Sequence, residues 1–175
     1  MDFSADHFAL FGLSRAFRID SQMLEQRYRD LQTQVHPDRH AAGSDSDRRL
    51  SLQWATRVNE AAQTLRAPLT RAQYLLKLAV PDLGTDRQSA LPTDFLVEQM
   101  EWREAVAEAR AVGDHHELEH LHHRLQHEIE QRYTEVAALL DDTHDYPLAA
   151  DRVQRLMFID KLLAEIDDGI AACDS

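Results

Sequence analysis

Apolar side chains recur along this chain at spacings of three and four residues and do not sustain a two-residue alternation, so the pattern predicts an all-α protein. A first helix is expected from about Asp6 to Phe11, where Gly12 stops it. Leu24, Tyr28, Leu31 and Val35 then fall on one stripe of a second helix, which Asp20 or Ser21 can cap. Pro37 ends that helix, because proline lacks the amide proton an interior turn needs and pushes the preceding residue out of helical conformation. Helical patterning resumes between Ser44 and Asp47, with Leu52, Ala55, Val58, Ala62 and Leu65 as the expected buried face. His36, Pro37 and Asp38 thus occupy the joint of a predicted helical hairpin, in a short, stiff loop facing water.

The third helix should stop at Ala67, ahead of Pro68, and another should start near Leu69 or Thr70 with Tyr74, Leu75 and Leu78 on its buried side. Residues 80–92 combine two prolines and a glycine with small and charged side chains, which marks a domain boundary. Beyond it, Thr93 to Ala111, about His115 to Leu140, and about Leu148 to Ile170 read as three long helices, the last with Val153, Leu156, Leu163 and Ile166 turned inward. The turns between them, at Gly113-Asp114 and from Asp141 to Pro147, are short, so the helices should form an antiparallel bundle.

Composition narrows the setting. A chain of 175 residues can enclose one core or two modest ones. No apolar run approaches the length of a membrane span, and Asp2 and Asp6 stand where an export signal needs positive charge, so a cytoplasmic protein without a membrane partner is expected. The single cysteine, Cys173, excludes an intramolecular disulfide and any cysteine metal cluster. Charge divides unevenly: residues 1–83 carry 11 Lys and Arg against 10 Asp and Glu, whereas residues 84–175 carry 8 against 21. That acidity argues against nucleic acid as a partner. It fits either ordinary solvated helix surface or a partner with a basic face.

Candidate chemistry is sparse. Glu101 and Glu104 share a helix face and could in principle divide acid and base work, but nothing pairs with them. Phosphate loops, a GxSxG elbow and the HExxH zinc signature are absent from the sequence. His36 with Asp38 has the composition of a proton relay, yet a protruding loop supplies neither pocket nor nucleophile. No catalytic residue and no cofactor are therefore expected. His116, His120, His123 and His127 fall within roughly 60° of one another on the long helix, opposite Leu118, Leu121, Leu125 and Ile129. Such a stripe is either exposed, pH-sensitive surface or a site for zinc, copper or nickel, without the enclosure that specific metal sites have.

The hairpin with His36-Pro37-Asp38 at its joint resembles the J-domain of co-chaperones that stimulate DnaK-type ATPases. Further blocks follow in order: Phe8-Ala9-Leu10-Phe11-Gly12-Leu13, Val58-Asn59-Glu60-Ala61-Ala62, Arg71-Ala72-Gln73-Tyr74-Leu75-Leu76, and the run from Phe95-Leu96-Val97 to Trp102-Arg103-Glu104. Together they are similar, over essentially the whole chain, to the HscB family of iron–sulfur cluster assembly co-chaperones. The resemblance implies an L-shaped protein with a J-domain over residues 1–76, a linker over 77–91 and a three-helix bundle over 92–175. It implies an HscA-type ATPase chaperone as one partner, contacted by His36, Pro37 and Asp38 with Arg27, Arg29 and Arg39. An IscU-type scaffold protein is the other, held by Leu96, Val97, Met100, Glu101, Glu104 and Phe158. Under this reading the protein regulates a partner's ATPase and turns over no substrate. Helical spacing puts Leu96, Val97 and Met100 on neighbouring turns bordered by the two glutamates, although Met100 and Phe158 fit a bundle core equally well. The chain departs from the usual J-domain pattern in one respect: Arg27 and Arg29 alternate with Glu25 and Asp30 and no lysine joins them, so its steering field should be weaker.

Overall fold

The computed structural model describes residues 3–35, 44–81 and 93–173. His36, Pro37, Asp38 and Arg39 lie outside the described residues, as does the expected boundary segment from Asp82 to Pro92. Among the described residues no strand occurs, and no helix is long and apolar enough to cross a membrane. The fold is all-α, and the chain divides into two compact units, Met1–Leu75 and Leu76–Ser175.

In the first unit, α1 (His7–Phe11) starts at Asp6, whose carboxylate accepts the Ala9 amide, and closes at Gly12 with φ +64°. Glycine adopts that left-handed conformation without the clash a β-carbon brings. Helix α2 (Ser21–Val35) is capped by Asp20, which accepts the Gln22 and Met23 amides at 2.9 and 3.0 Å. Helix α3 (Asp45–Arg66) opens with a capping box in which Ser44 and Asp47 each accept the other's backbone amide. The hairpin closes over Phe8, Phe11, Leu24, Val58, Ala62 and Leu65, all essentially buried.

The buried face of α3 differs from expectation at its start. Leu52 is 60% exposed and Ala55 only half-buried, while Ser51 and Trp54 are buried. At 100° per residue Leu52 lies about 120° from Val58 whereas Ser51 lies about 20° from it, so the polar residue holds the inward position. It can do so because its hydroxyl donates to the Val35 carbonyl at 2.5 Å, satisfying an orphan acceptor at the end of α2.

Helix α4 (Pro68–Ala79) begins at Pro68 itself, one residue earlier than expected, since a missing amide costs nothing in a first turn. Ala67 alone separates it from α3, in extended conformation. Tyr74 and Leu78 are half-buried and Leu75 is buried. Arg71 is buried too, donating to the Leu65 carbonyl at 2.7 Å with its guanidinium over the Phe17 ring.

The second unit packs α5 (Thr93–Val112), α6 (His115–Ala137) and α7 (Tyr146–Cys173) against one another. Val106 and Ala109 of α5, Leu118, Leu121 and Leu125 of α6, and Ile159, Leu162 and Ile166 of α7 form its core. Two left-handed residues shape the turns, Gly113 at φ +67° and His144 at φ 57°. The second long helix gives up α-helical geometry at Ala137 and widens into a π-helical turn over Ala138–Thr143. Pro147, expected in the turn, sits in the first turn of α7, where no intrahelical donor is required. Of the predicted inward residues of α7, Val153, Leu156 and Ile166 are buried, whereas Leu163 is a half-buried flank beside Leu162.

Candidate protein-binding face

Helix α5 has two apolar sides. Phe95, Trp102, Val106 and Ala109 face the bundle, the first of them 1% exposed. On the opposite side Leu96 is 43% exposed, Val97 50% and Met100 70%. Measured around the helix, Leu96, Met100, Glu104, Val97 and Glu101 occupy an arc of about 140° centred opposite the core-facing residues. Met100 is therefore no part of the core. An apolar cluster left in water on a helix that already has a packed side is a candidate surface for a partner.

The start of α5 is held firmly enough to present that cluster. Phe95 is packed edge-on against Phe158, with centroids 6.0 Å apart and planes at 84°, and Arg155 lies over the Phe95 ring at 4.8 Å. Three residues along, Glu98 accepts from Arg132 at 2.8 Å, and Arg132 also donates to Glu128. Burial pushes the Glu98 carboxyl above the ordinary glutamate value, and the hydrogen bond with Glu128 adds to the rise. Phe158 is half-buried against the bundle core, so it supports the α5 face from behind more than it projects from it.

Glu101 and Glu104 are exposed at the border of the apolar cluster. Glu108, also exposed and one turn beyond Glu104, continues the same acidic edge. Spacing alone could have included it. Facing water, these carboxylates are not built for acid–base catalysis, but they can select a basic partner and fix its orientation.

On the first unit, Arg27 and Arg29 are both exposed on α2. They stand about 160° apart around the helix and so do not form one basic strip. Glu25, beside them in sequence, is engaged elsewhere: Arg66 donates to both its oxygens at 2.6 and 2.8 Å, and this hydrogen bonding holds its carboxyl below the ordinary value. The histidines at 116, 120, 123 and 127 are all exposed, opposite the buried leucines of α6. Among the described residues no group of three or more His, Cys, Asp or Glu side chains comes together as a metal would require.

Comparison with known proteins gives this geometry a context. A family described as "HSCB C-terminal oligomerisation domain" matches residues 91–167, which includes the whole α5 face. A co-chaperone protein HscB homolog of Aromatoleum aromaticum is 54% identical over 175 residues, covering 100% of this chain and 99% of that one. Two solved structures share the fold throughout. Chaperone HscB from Vibrio cholerae has a TM-score of 0.83 and 33% identity, covering 94% of this chain and 96% of that chain. Human co-chaperone HscB has a TM-score of 0.88 and 28% identity, covering 95% of this chain and 83% of that chain. With more than half of its residues identical to those of such a relative along the full length, the chain belongs to the HscB co-chaperone family.

Proposed function

We propose that this protein is an adaptor and regulator in iron–sulfur cluster assembly: it delivers an IscU-type scaffold protein to an HscA-type chaperone and triggers ATP hydrolysis by that chaperone. The observation that carries the reading is the exposure of Leu96, Val97 and Met100 on the side of α5 away from its own core. The scaffold would be held there, with Glu101 and Glu104 meeting basic groups at the rim and Phe158 bracing the helix. Burying a small apolar patch within a charged border supplies affinity at the centre and register at the edge.

The chaperone contact belongs to the first unit, read as a J-domain over residues 1–76 and joined by a linker over 77–91 to the scaffold-binding domain over 92–175. Asp38 would accept charge-assisted hydrogen bonds, Pro37 would limit the conformational freedom lost on binding, and His36 would add directional polar contacts. Arg27, Arg29 and Arg39 would contribute positive charge from separate positions. The protein itself turns over nothing. Hydrolysis stabilises the chaperone's grip on the scaffold and promotes transfer of the cluster, which is the scaffold's cargo.

The test is steady-state ATP hydrolysis by an HscA-type chaperone, with and without an IscU-type scaffold, this protein and its His36→Gln form. Stimulation that needs both His36 and the scaffold is expected. Absence of stimulation by folded wild-type protein over a broad concentration range would overturn the reading.

A further inference from the structure

Two arginines flank the exposed face of α5, and neither has a carboxylate partner among the described residues. Arg103 follows next to the Leu96 end of the arc, and its guanidinium carbon lies 5.1 Å from the centre of the Phe158 ring. At the Glu101 end, Arg124 of α6 lies 4.9 Å from the centre of the Trp102 ring. Both residues are exposed, and each guanidinium is held over an aromatic ring. This contrasts with Arg132, Arg152 and Arg155 of the same unit, each in an ion pair. Arg110 likewise shows no ion pair but donates to the Glu165 carbonyl at 3.4 Å, so among the described arginines of this unit Arg103 and Arg124 are the two held over a ring instead of on an oxygen acceptor.

The aromatic contact decides what these groups are ready to bind. A guanidinium held over a ring by cation–π attraction has no oxygen acceptor taken up by that contact, and its planar fork matches a carboxylate with two parallel hydrogen bonds. Holding the group on a ring before binding also reduces the rotamer freedom lost on contact. Around Arg124 there is space for a guest. It lines a groove with Glu101, Trp102, Ala105 and Leu121, and Glu101 shares that groove without closing an ion pair onto it. The groove adjoins the apolar cluster at Glu101, which lines the groove and borders the cluster.

Building on the scaffold-binding reading, we propose that Arg103 and Arg124 are paired clamps that donate to carboxylates of the IscU-type scaffold on either side of the apolar contact. The face then recognises both signs of charge: basic groups opposite Glu101 and Glu104, and acidic groups opposite the two arginines. A merely basic protein surface satisfies only the first half of this requirement, so the clamps act as a specificity filter.

The experiment is calorimetric titration of the full chain with apo scaffold at several salt concentrations, using Arg103→Gln, Arg124→Gln, the corresponding lysine variants, and Met100→Ala as a marker for the face. Each glutamine variant is expected to bind about three- to tenfold more weakly, with a shallower salt dependence, and each lysine variant to fall between it and wild type. If Met100→Ala weakens binding while both glutamine variants bind like wild type or more tightly, the clamps are overturned and the scaffold-binding face stands. If wild type does not bind, or Met100→Ala binds equally well, the face itself is wrong and the clamps fall with it. Should a glutamine variant lose helical circular dichroism, the lysine variant at that position decides: weaker binding supports the clamp, and wild-type binding overturns it.

Discussion

Asp6 shows how much one side chain can do at a helix end. Its carboxylate accepts the Ala9 amide at 2.9 Å and is gripped by Arg15 at 2.6 and 2.8 Å. Burial alone would raise its pKa; the Ala9 amide and then Arg15 outweigh that, and the carboxyl sits below its ordinary value of 3.8. A depressed carboxyl stabilises the fold above the unfolded-state value and loses that contribution as pH falls through the folded-state value. Asp6→Asn keeps a competent cap and removes the charge, so it should destabilise the protein by about 0.5–1 kcal/mol at neutral pH. Urea unfolding should show the gap to wild type closing as pH is taken below 3.8. Ser51 behaves differently. Its buried hydroxyl serves the Val35 carbonyl, and Ser51→Ala should cost about 1–3 kcal/mol in the same assay by leaving that acceptor unsatisfied. The cap at Asp20 was legible in the sequence, because an aspartate just ahead of an amphipathic stripe has a standard role, whereas the pattern marks Asp6 only as the first residue of its helix. The role of Ser51 was not legible, since its partner lies 16 residues away and only packing reveals the pairing.

At the scale of elements, proline and glycine punctuation placed most helix boundaries to within a few residues, because those residues act through their own backbone chemistry. Gly113 is an example that can be tested. Nothing lies within 4 Å of a β-carbon built there, yet φ is +67°, so Gly113→Ala should cost about 1–2 kcal/mol from backbone conformation alone, read as a lowered thermal midpoint without change in the bundle's helical signal. Other features escaped the pattern for a physical reason. Apolar periodicity records that a position avoids water in some state of the molecule, whether that state is the folded core or a complex. For α5 the two overlap: Phe95 and Met100 are equally apolar in sequence, while one is 1% and the other 70% exposed. On α3, inertia of the same rule placed Leu52 inside, where a three-dimensional demand for a hydroxyl had already assigned the position to Ser51. The arginines held over rings were invisible for a related reason, because Arg124 and Trp102 meet only when α5 and α6 are packed together.

Across the whole molecule the two units differ in charge and in the kind of surface they offer. The segment 1–83 is close to neutral, whereas 84–175 concentrates the acidity that surrounds the exposed apolar cluster. If each unit serves one partner, the activities should separate by mutation. Met100→Ala removes a side chain that is 70% exposed, so it should leave thermal stability within about 0.5 kcal/mol of wild type while weakening scaffold binding about five- to thirtyfold, the loss expected of a central interface residue. His36→Gln should do the reverse, leaving scaffold affinity unchanged and abolishing stimulation of the chaperone's ATPase. The decisive comparison is the chaperone assay at saturating scaffold. There Met100→Ala should regain most of the stimulation, because excess scaffold restores occupancy by mass action, and His36→Gln should regain none. Loss of scaffold binding in His36→Gln protein with intact helices would mean that the two contacts are not independent, and that the exposed face on α5 does not act alone.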